Sequence, residues 1–157
     1  MDYKTNVMRI LDKHKIKYTP HSYAHTDAVS GLDVAEVLGQ SPLQVFKTLV
    51  TVSKTGHHYV FVIPVHKELD LKKAASAVHE KSISMLKSKD LLPLTGYIHG
   101  GCSPIGMKKT FTTVIDQSAL NVETIIFSAG KIGYQVELTL EELKKVIPFH
   151  LHDLVVE

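Results

Sequence analysis

Two apolar runs, Val45 to Val52 (VFKTLVTV) and Tyr59 to Val65 (YVFVIPV), flank a short glycine-containing segment, Ser53 to His58. β-Branched and aromatic residues dominate both runs, a composition that suits pleated, half-buried strands. With Gly56 available to turn the chain between them, the pattern predicts a β-hairpin around which the remaining segments must pack. Each run is the length of a strand, far short of the roughly 20 apolar residues that span a bilayer. No membrane-crossing segment is expected.

Helical spacing flanks this hairpin. Asn6 to Lys15 carries Val7, Ile10 and Leu11 at i, i+3, i+4, which predicts a surface helix with one buried stripe. Ser30 is placed to cap a second helix that ends at Gly39, with Val34, Val37 and Leu38 facing the core. Asp70 opens a third, with Leu71, Ala74, Ala75 and Val78 on its buried side. A short strand near Ser82 to Met85 and a helical turn near Lys89 to Leu92 follow, and Pro93 is expected to stop that turn.

The second half reads mostly as β: a loop at Gly100 to Gly106, then strands at Thr112 to Asp116, Thr124 to Ser128 and Tyr134 to Leu138. Thr139 and Glu142 form a capping-box sequence before Leu140, Leu143 and Ile147, Pro148 marks the stop, and a short tail ends the chain. Hairpins mixed with flanking helices predict an α+β fold rather than a regular βαβ series, with a mixed sheet that curls toward a barrel. At 157 residues, 44% hydrophobic and 22% charged, the chain is expected to form a single domain over residues 1–157.

A single cysteine, Cys102, cannot form an internal disulfide, and the N-terminal Met1, Asp2, Tyr3, Lys4 lacks the order of a secretory signal. A cytoplasmic location is the resulting expectation. The net charge of +2 is weaker than a dedicated nucleic-acid binder carries, so any contact with RNA would rest on a few lysines or on a second protein that holds the RNA.

Lys47 interrupts an otherwise apolar or threonine-bearing strand, and alternation places it on one face with Val45 and Leu49. It is either an edge-strand lysine reaching back to water or a rigidly held cation at a pocket mouth, offered to a phosphate, carboxyl or ester oxygen. Gly100-Gly101-Cys102-Ser103-Pro104-Ile105-Gly106 is either a tight turn or a loop whose backbone approaches a ligand closely. It fits neither a Walker nor a dinucleotide fingerprint. Cys102 or Ser103 beside His99 would be a nucleophile only with a base and an orienting group in reach, and Cys102 reads better as a packing residue. The ten histidines show no metal-ligand spacing on a helix, so neither a metal nor a cofactor is expected.

Five ordered segments, HSYAH (21–25), QVFKTLV (44–50), LDLKKAA (69–75), TGYIHGGCSPIGMKK (95–109) and SAGKIGYQVEL (128–138), resemble the YbaK proteins, relatives of the editing domain of bacterial prolyl-tRNA synthetases. The resemblance implies hydrolysis of the ester that joins a wrongly attached amino acid, characteristically cysteine on proline tRNA, to the tRNA 3′ end. It makes Lys47 the essential lysine, Gly100, Gly101, Cys102, Ser103 and Pro104 the G-x-x-x-P loop against the aminoacyl group, and Tyr23 a pocket tyrosine. It also implies that the thiol attacking the ester is the substrate's own, and that prolyl-tRNA synthetase is a partner holding the tRNA. Where the family pattern carries Asp two residues before the position of Glu137, this chain has Gln135, to which no charge-dependent role is assigned. The competing readings are a deacylase for another amino acid such as alanine, and a non-catalytic module binding tRNA or the synthetase.

Overall fold

The computed structural model describes residues 3–157; Met1 and Asp2, where the sequence reading of the N-terminus begins, lie outside them. The expected hairpin is present as β2 (Phe46–Ser53) against β3 (His58–Pro64), antiparallel, with Lys47 opposite Ile63 and Val52 opposite His58. A five-stranded sheet grows from it in the order β4 (Ile83–Met85), β2, β3, β5 (Thr112–Asp116), β8 (His150–His152). β5 and β8 join it parallel to their neighbours, so this sheet is mixed. The segment read as a tail therefore becomes an edge strand. Pairing supplies its order, together with the bridge from Val155 to Leu69 and the bond from Val156 N–H to the Glu68 carbonyl.

A second, antiparallel sheet orders β1 (Thr19–Ser22), β7 (Tyr134–Leu138) and β6 (Ile125–Ser128). The fold is thus α+β as expected, and neither sheet closes on itself into a barrel. They meet at one parallel bridge, Val45 to Ile126, reinforced by Ile126 N–H donating to the Gln44 carbonyl.

Helices cover these sheets as their caps dictate. Thr5 caps α1 (Asn6–Lys13), which buries Val7, Met8 and Leu11. Ser30 Oγ accepts from Asp33 N–H at the start of α2 (Gly31–Leu38), and Gly39 closes it at φ 67°, in the left-handed region where glycine is favoured. Val34 and Ala35 are the buried residues of α2, whereas Val37, expected inside, is exposed. Leu71 is likewise exposed on α3 (Leu71–Ala77), where Ala74 and Ala75 make the contact. In both helices the inward face is narrower than the apolar stripe in the sequence, because small alanines let the backbone sit close to the sheet.

α4 (Ser88–Thr95) runs through Pro93 instead of stopping before it. Proline costs a helix one donor, and the last turn is held by other bonds: Thr95 Oγ1 and Gly96 N–H donate to the carbonyls of Leu91 and Leu92. In α5 (Leu140–Lys144) Thr139 Oγ1 accepts from Glu142 N–H, but the Glu142 carboxylate accepts from the distant Lys17 N–H rather than closing the box. The main core packs Phe46, Val50, Val60, Val62, Phe127 and Val136 with α1, between the two sheets. A smaller one places Phe61, Ile63 and Val114 against α3. A third cluster, Ala35, Val45, Val65 and Ile126, sits over the seam between the sheets. No helix of the described residues is long and apolar enough to cross a membrane.

Candidate functional site

β2 is not a sheet edge. β4 pairs only with Thr51 to Ser53, and the opposite end of β2 is seamed to β6 through Val45. Lys47 thus stands on an interior strand, half-buried, on the face opposite the main-core residues Phe46 and Val50. Burial lowers its pKa from the ordinary lysine value, and the negative charge of Glu68 acts in the other direction. Among the described residues its ammonium has neither a salt-bridge nor a hydrogen-bond partner. A cation taken partly out of water with no paired carboxylate or hydrogen-bond acceptor is unfavourable for folding.

Register shows what shares its face. Side chains of paired residues point to the same side of a sheet, and alternate residues on one strand do likewise. Val45 bridges Ile126, and from that bridge both chains run in the same direction toward Lys47 and Ser128. Ser128 is opposite Gln135, and Gln135 is opposite His21 on β1. Lys47, Ser128, Gln135 and His21 therefore line one surface, roughly 5 Å apart from strand to strand. The turn after α2 overlies it, with Gln40 Nε2 donating to Gln135 Oε1 at 2.9 Å.

A second polar chain crosses the same face. His21 Nε2 lies 2.7 Å from Glu137 Oε1, Thr124 Oγ1 donates to Glu137 Oε2, and Gln44 Nε2 donates to Thr124 Oγ1 at 3.0 Å. Burial alone would raise the Glu137 pKa, but the bonds from Thr124 and His21 outweigh it and hold it below the usual glutamate value. The carboxylate is an acceptor, so His21 presents N–H at Nε2 and leaves Nδ1 on the other side of the ring.

The glycine loop is packed more tightly than its composition suggests. Gly101 to Ile105 are buried, Ser103 fully, and Ser103 Oγ accepts from Ile105 N–H. Gly100 turns at φ 87°, and a side chain on Gly101 would come within 3.3 Å of the Ile132 backbone nitrogen. Burial pushes the Cys102 thiol up to about 12, so it is neutral at physiological pH and belongs to the main core beside Tyr97. No hydrogen bond joins Cys102 or Ser103 to His99 among the described residues. Pro104 is buried with its neighbours.

Tyr23 continues β1; it is 6% exposed and its N–H donates to the Gly133 carbonyl. Gly133 packs against Ala24, while Gly100 and Gly101 pack against Ile132. The β6–β7 turn therefore brings Tyr23 and the glycine loop to one end of the sheet, the end toward which the Lys47 and Ser128 segments run. No hydrogen bond links Lys47 to the loop among the described residues. Cavities of about 300 and 220 Å³ lie elsewhere, the first beside α4 at His58 and Leu86, the second at Pro64 and Asp116; neither is lined by Lys47 or the loop.

Gln40, Gln44, Thr124 and the His21–Glu137 contact were not singled out from the sequence. The usable signal was period two: Gln135 and Glu137 alternate with the apolar Val136 and Leu138, which puts two polar residues side by side on one face. The partners from α2 and the 124 segment left no such trace, because only tertiary contact brings them there.

Comparison with known proteins places this chain among relatives. Residues 25–146 match the model of the aminoacyl-tRNA editing domain. The chain is 49% identical over 141 residues, 89% of its length and 86% of the other, to a protein of Enterococcus faecalis provisionally named Cys-tRNA(Pro)/Cys-tRNA(Cys) deacylase EbsC. It is 28% identical over 108 residues, 69% of its length, to a proline–tRNA ligase of Pelobacter propionicus, of which it spans 19%. In fold it matches a crystal structure described provisionally as a trans-editing enzyme for prolyl tRNA synthetase, with a TM-score of 0.82 and 21% identity, over 99% of this chain and all of that one. The family match covers most of the chain and the Enterococcus relative is nearly half identical to it: this chain belongs to the aminoacyl-tRNA editing domain family.

Proposed function

We propose that the protein is an aminoacyl-tRNA deacylase that removes cysteine wrongly attached to proline tRNA, acting in trans on the charged 3′ end. The observation that carries this reading is Lys47, a half-buried ammonium with no salt-bridge or hydrogen-bond partner among the described residues, on a face that carries amides and hydroxyls. Such a group suits an ester carbonyl, ribose oxygen or phosphate. The similarity to the Enterococcus protein supports cysteine as the amino acid.

The chemistry needs no protein nucleophile, which agrees with a Cys102 thiol pushed to about 12 and packed in the core. The substrate's thiol sulfur bonds to its own ester carbon as the carbon–oxygen bond to the ribose breaks. The thiol proton ends on the released 3′ oxygen, and water then opens the strained thioester to free cysteine. Holding the aminoacyl group in the reactive conformer supplies the advantage of proximity. In this reading Lys47 faces the developing negative oxygen, Gly100 and Gly101 offer backbone close to the ligand, Cys102, Ser103 and Pro104 shape that loop, and Tyr23 walls the pocket. Residues 1–157 act as one domain in the cytoplasm, and prolyl-tRNA synthetase supplies most of the grip on the tRNA, consistent with a net charge of only +2.

Proline tRNA charged with labelled cysteine decides the matter. Wild-type protein is expected to release the label well above the buffer rate and Lys47→Ala to release it at least a hundredfold more slowly. Equal decay in both, or faster release of alanine or serine from their tRNAs, would overturn the cysteine reading. Retarded tRNA in a gel without ester loss would make the protein a binding module.

A further inference from the structure

Among the described residues, three buried side-chain oxygens have no hydrogen-bond partner: Gln40 Oε1, Thr48 Oγ1 and Ser118 Oγ. A hydroxyl can rotate to find a weak neighbour, but a carboxamide oxygen is a fixed acceptor once its nitrogen is committed. Gln40 Nε2 is committed to Gln135 Oε1 at 2.9 Å. The root of the side chain is fixed as well, since Gly39 ends α2 in the left-handed conformation and Gln40 N–H donates to the Ala35 carbonyl. Leaving such an acceptor dry costs the fold stability, so its position calls for a donor.

The location says which donor. Gln135, 5% exposed, is the floor of this contact and lies on the Lys47 face with Ser128 on one side and His21 on the other. At sheet spacing, β7 is two strands, roughly 10 Å, from β2. A lysine side chain that reaches across part of that gap to the ester oxygen leaves the remainder, on the side of the amides, for the α-carbon of an aminoacyl ester and its substituents. With Lys47 at the ester and phosphate end, the group reaching the amides is the one at the opposite end of the substrate. In an aminoacyl ester that group is the α-ammonium, three N–H donors with no acceptor.

The geometry points to the Gln40–Gln135 carboxamide pair as the subsite for the substrate's α-ammonium group, received by Gln40 Oε1. This deepens the deacylase reading and rests on it. A neutral pair accepts the ammonium without adding a buried carboxylate, whose desolvation would be costly in the absence of substrate. It places this chain's Gln135 in an uncharged recognition role and gives Gln40 a function that its place in the turn between α2 and β2 does not reveal.

The test compares two esters of proline tRNA: cysteinyl, and 3-mercaptopropionyl, which keeps the thiol and lacks only the ammonium. Each enzymatic rate is divided by the same ester's rate in buffer, which removes the ammonium's intrinsic effect on the ester. The wild-type protein is expected to accelerate the cysteinyl ester about tenfold more than its analogue, the scale of a charge-assisted hydrogen bond. Gln40→Leu should bring that ratio close to one and still cleave both esters, and Gln40→Glu, which can only accept when ionised, should restore it. A wild-type ratio near one overturns the inference without any variant, as does an unchanged ratio in Gln40→Leu. Failure of Gln40→Glu to restore the ratio also overturns it, because the pair would then present a donor. If wild-type protein cleaves neither ester, the deacylase reading falls and takes this inference with it.

Discussion

Lys47 is paired across the β2–β3 hairpin with Ile63, a residue wholly buried against α3. The ammonium shares that environment with no salt-bridge or hydrogen-bond partner among the described residues, and burial lowers its pKa. A lysine whose folded pKa is lowered penalises the fold fully at pH below that value; the penalty is released as pH rises past it toward the ordinary 10.5. Lys47→Met is therefore expected to raise the melting temperature at pH 7 by about 2–4 °C, roughly 1 kcal/mol for a chain of this size, while deacylation collapses. Thermal melts at pH 7 decide; a lower melting temperature would show that the lysine stabilises the fold.

Cys102 predicts the opposite pattern. With its thiol held near 12 and 7% exposed, Cys102→Ala should leave deacylation within about twofold, since the proposed attack uses the substrate's sulfur. The lost contacts in the core should cost about 1 kcal/mol. Iodoacetamide at pH 8 should label the native protein far more slowly than the urea-unfolded chain. Rapid labelling of native protein would contradict the packing described.

The His21–Glu137 pair gives a pH signature. Glu137 has a lowered folded pKa, so its stabilisation is complete above the ordinary value of 4.5 and disappears as pH falls through the folded value. Glu137→Gln should cost about 1–2 kcal/mol at pH 7 in urea unfolding, and the gap from wild type should narrow at pH 3.5. A gap independent of pH would mean that the charge of Glu137 contributes nothing.

Two glycines with nearly the same backbone separate conformation from crowding. Gly130 and Gly56 turn at φ 89° and 85°, but a Cβ on Gly130 would meet Val7 at 2.9 Å and Tyr97 at 3.0 Å, whereas one on Gly56 would meet nothing within 4 Å. Gly56→Ala is expected to cost about 1 kcal/mol for left-handed strain alone, and Gly130→Ala about 3 kcal/mol once overpacking is added. Equal losses would remove the claim that α1 and Tyr97 close tightly over the β6–β7 turn.

How far the chain could be read in advance depends on the range of the interaction. The caps at Ser30, Asp70 and Thr139 and the strands at Thr112 to Asp116 and Tyr134 to Leu138 stand where local spacing put them. Pro93 misled because the bonds that keep its helix intact come from Thr95 and Gly96, downstream of the break. His150 to His152 gave no strand pattern, being three residues with two polar ends, and became β8 only because β5 offered it a parallel edge.

The site divides along the same line. By itself the sequence determined the candidates for chemistry: a lysine out of place in an apolar strand, a glycine-rich loop, a lone cysteine poorly equipped to react, and an ordered set of segments specific enough to name a family. Alternation along a single strand is a local property, and it assigned Lys47 its face; the same period-two signal was present at Gln135 and Glu137. Only the tertiary structure decided that these faces are one surface. The parallel bridge of Val45 to Ile126, which joins two sheets across about eighty residues of chain, aligns Lys47 with Ser128 and Gln135. Likewise Gln40 meets Gln135 across the fold, and its unpaired oxygen exists only in that contact. Such pairings depend on the register between distant strands, which packing of the whole core selects and no local pattern encodes.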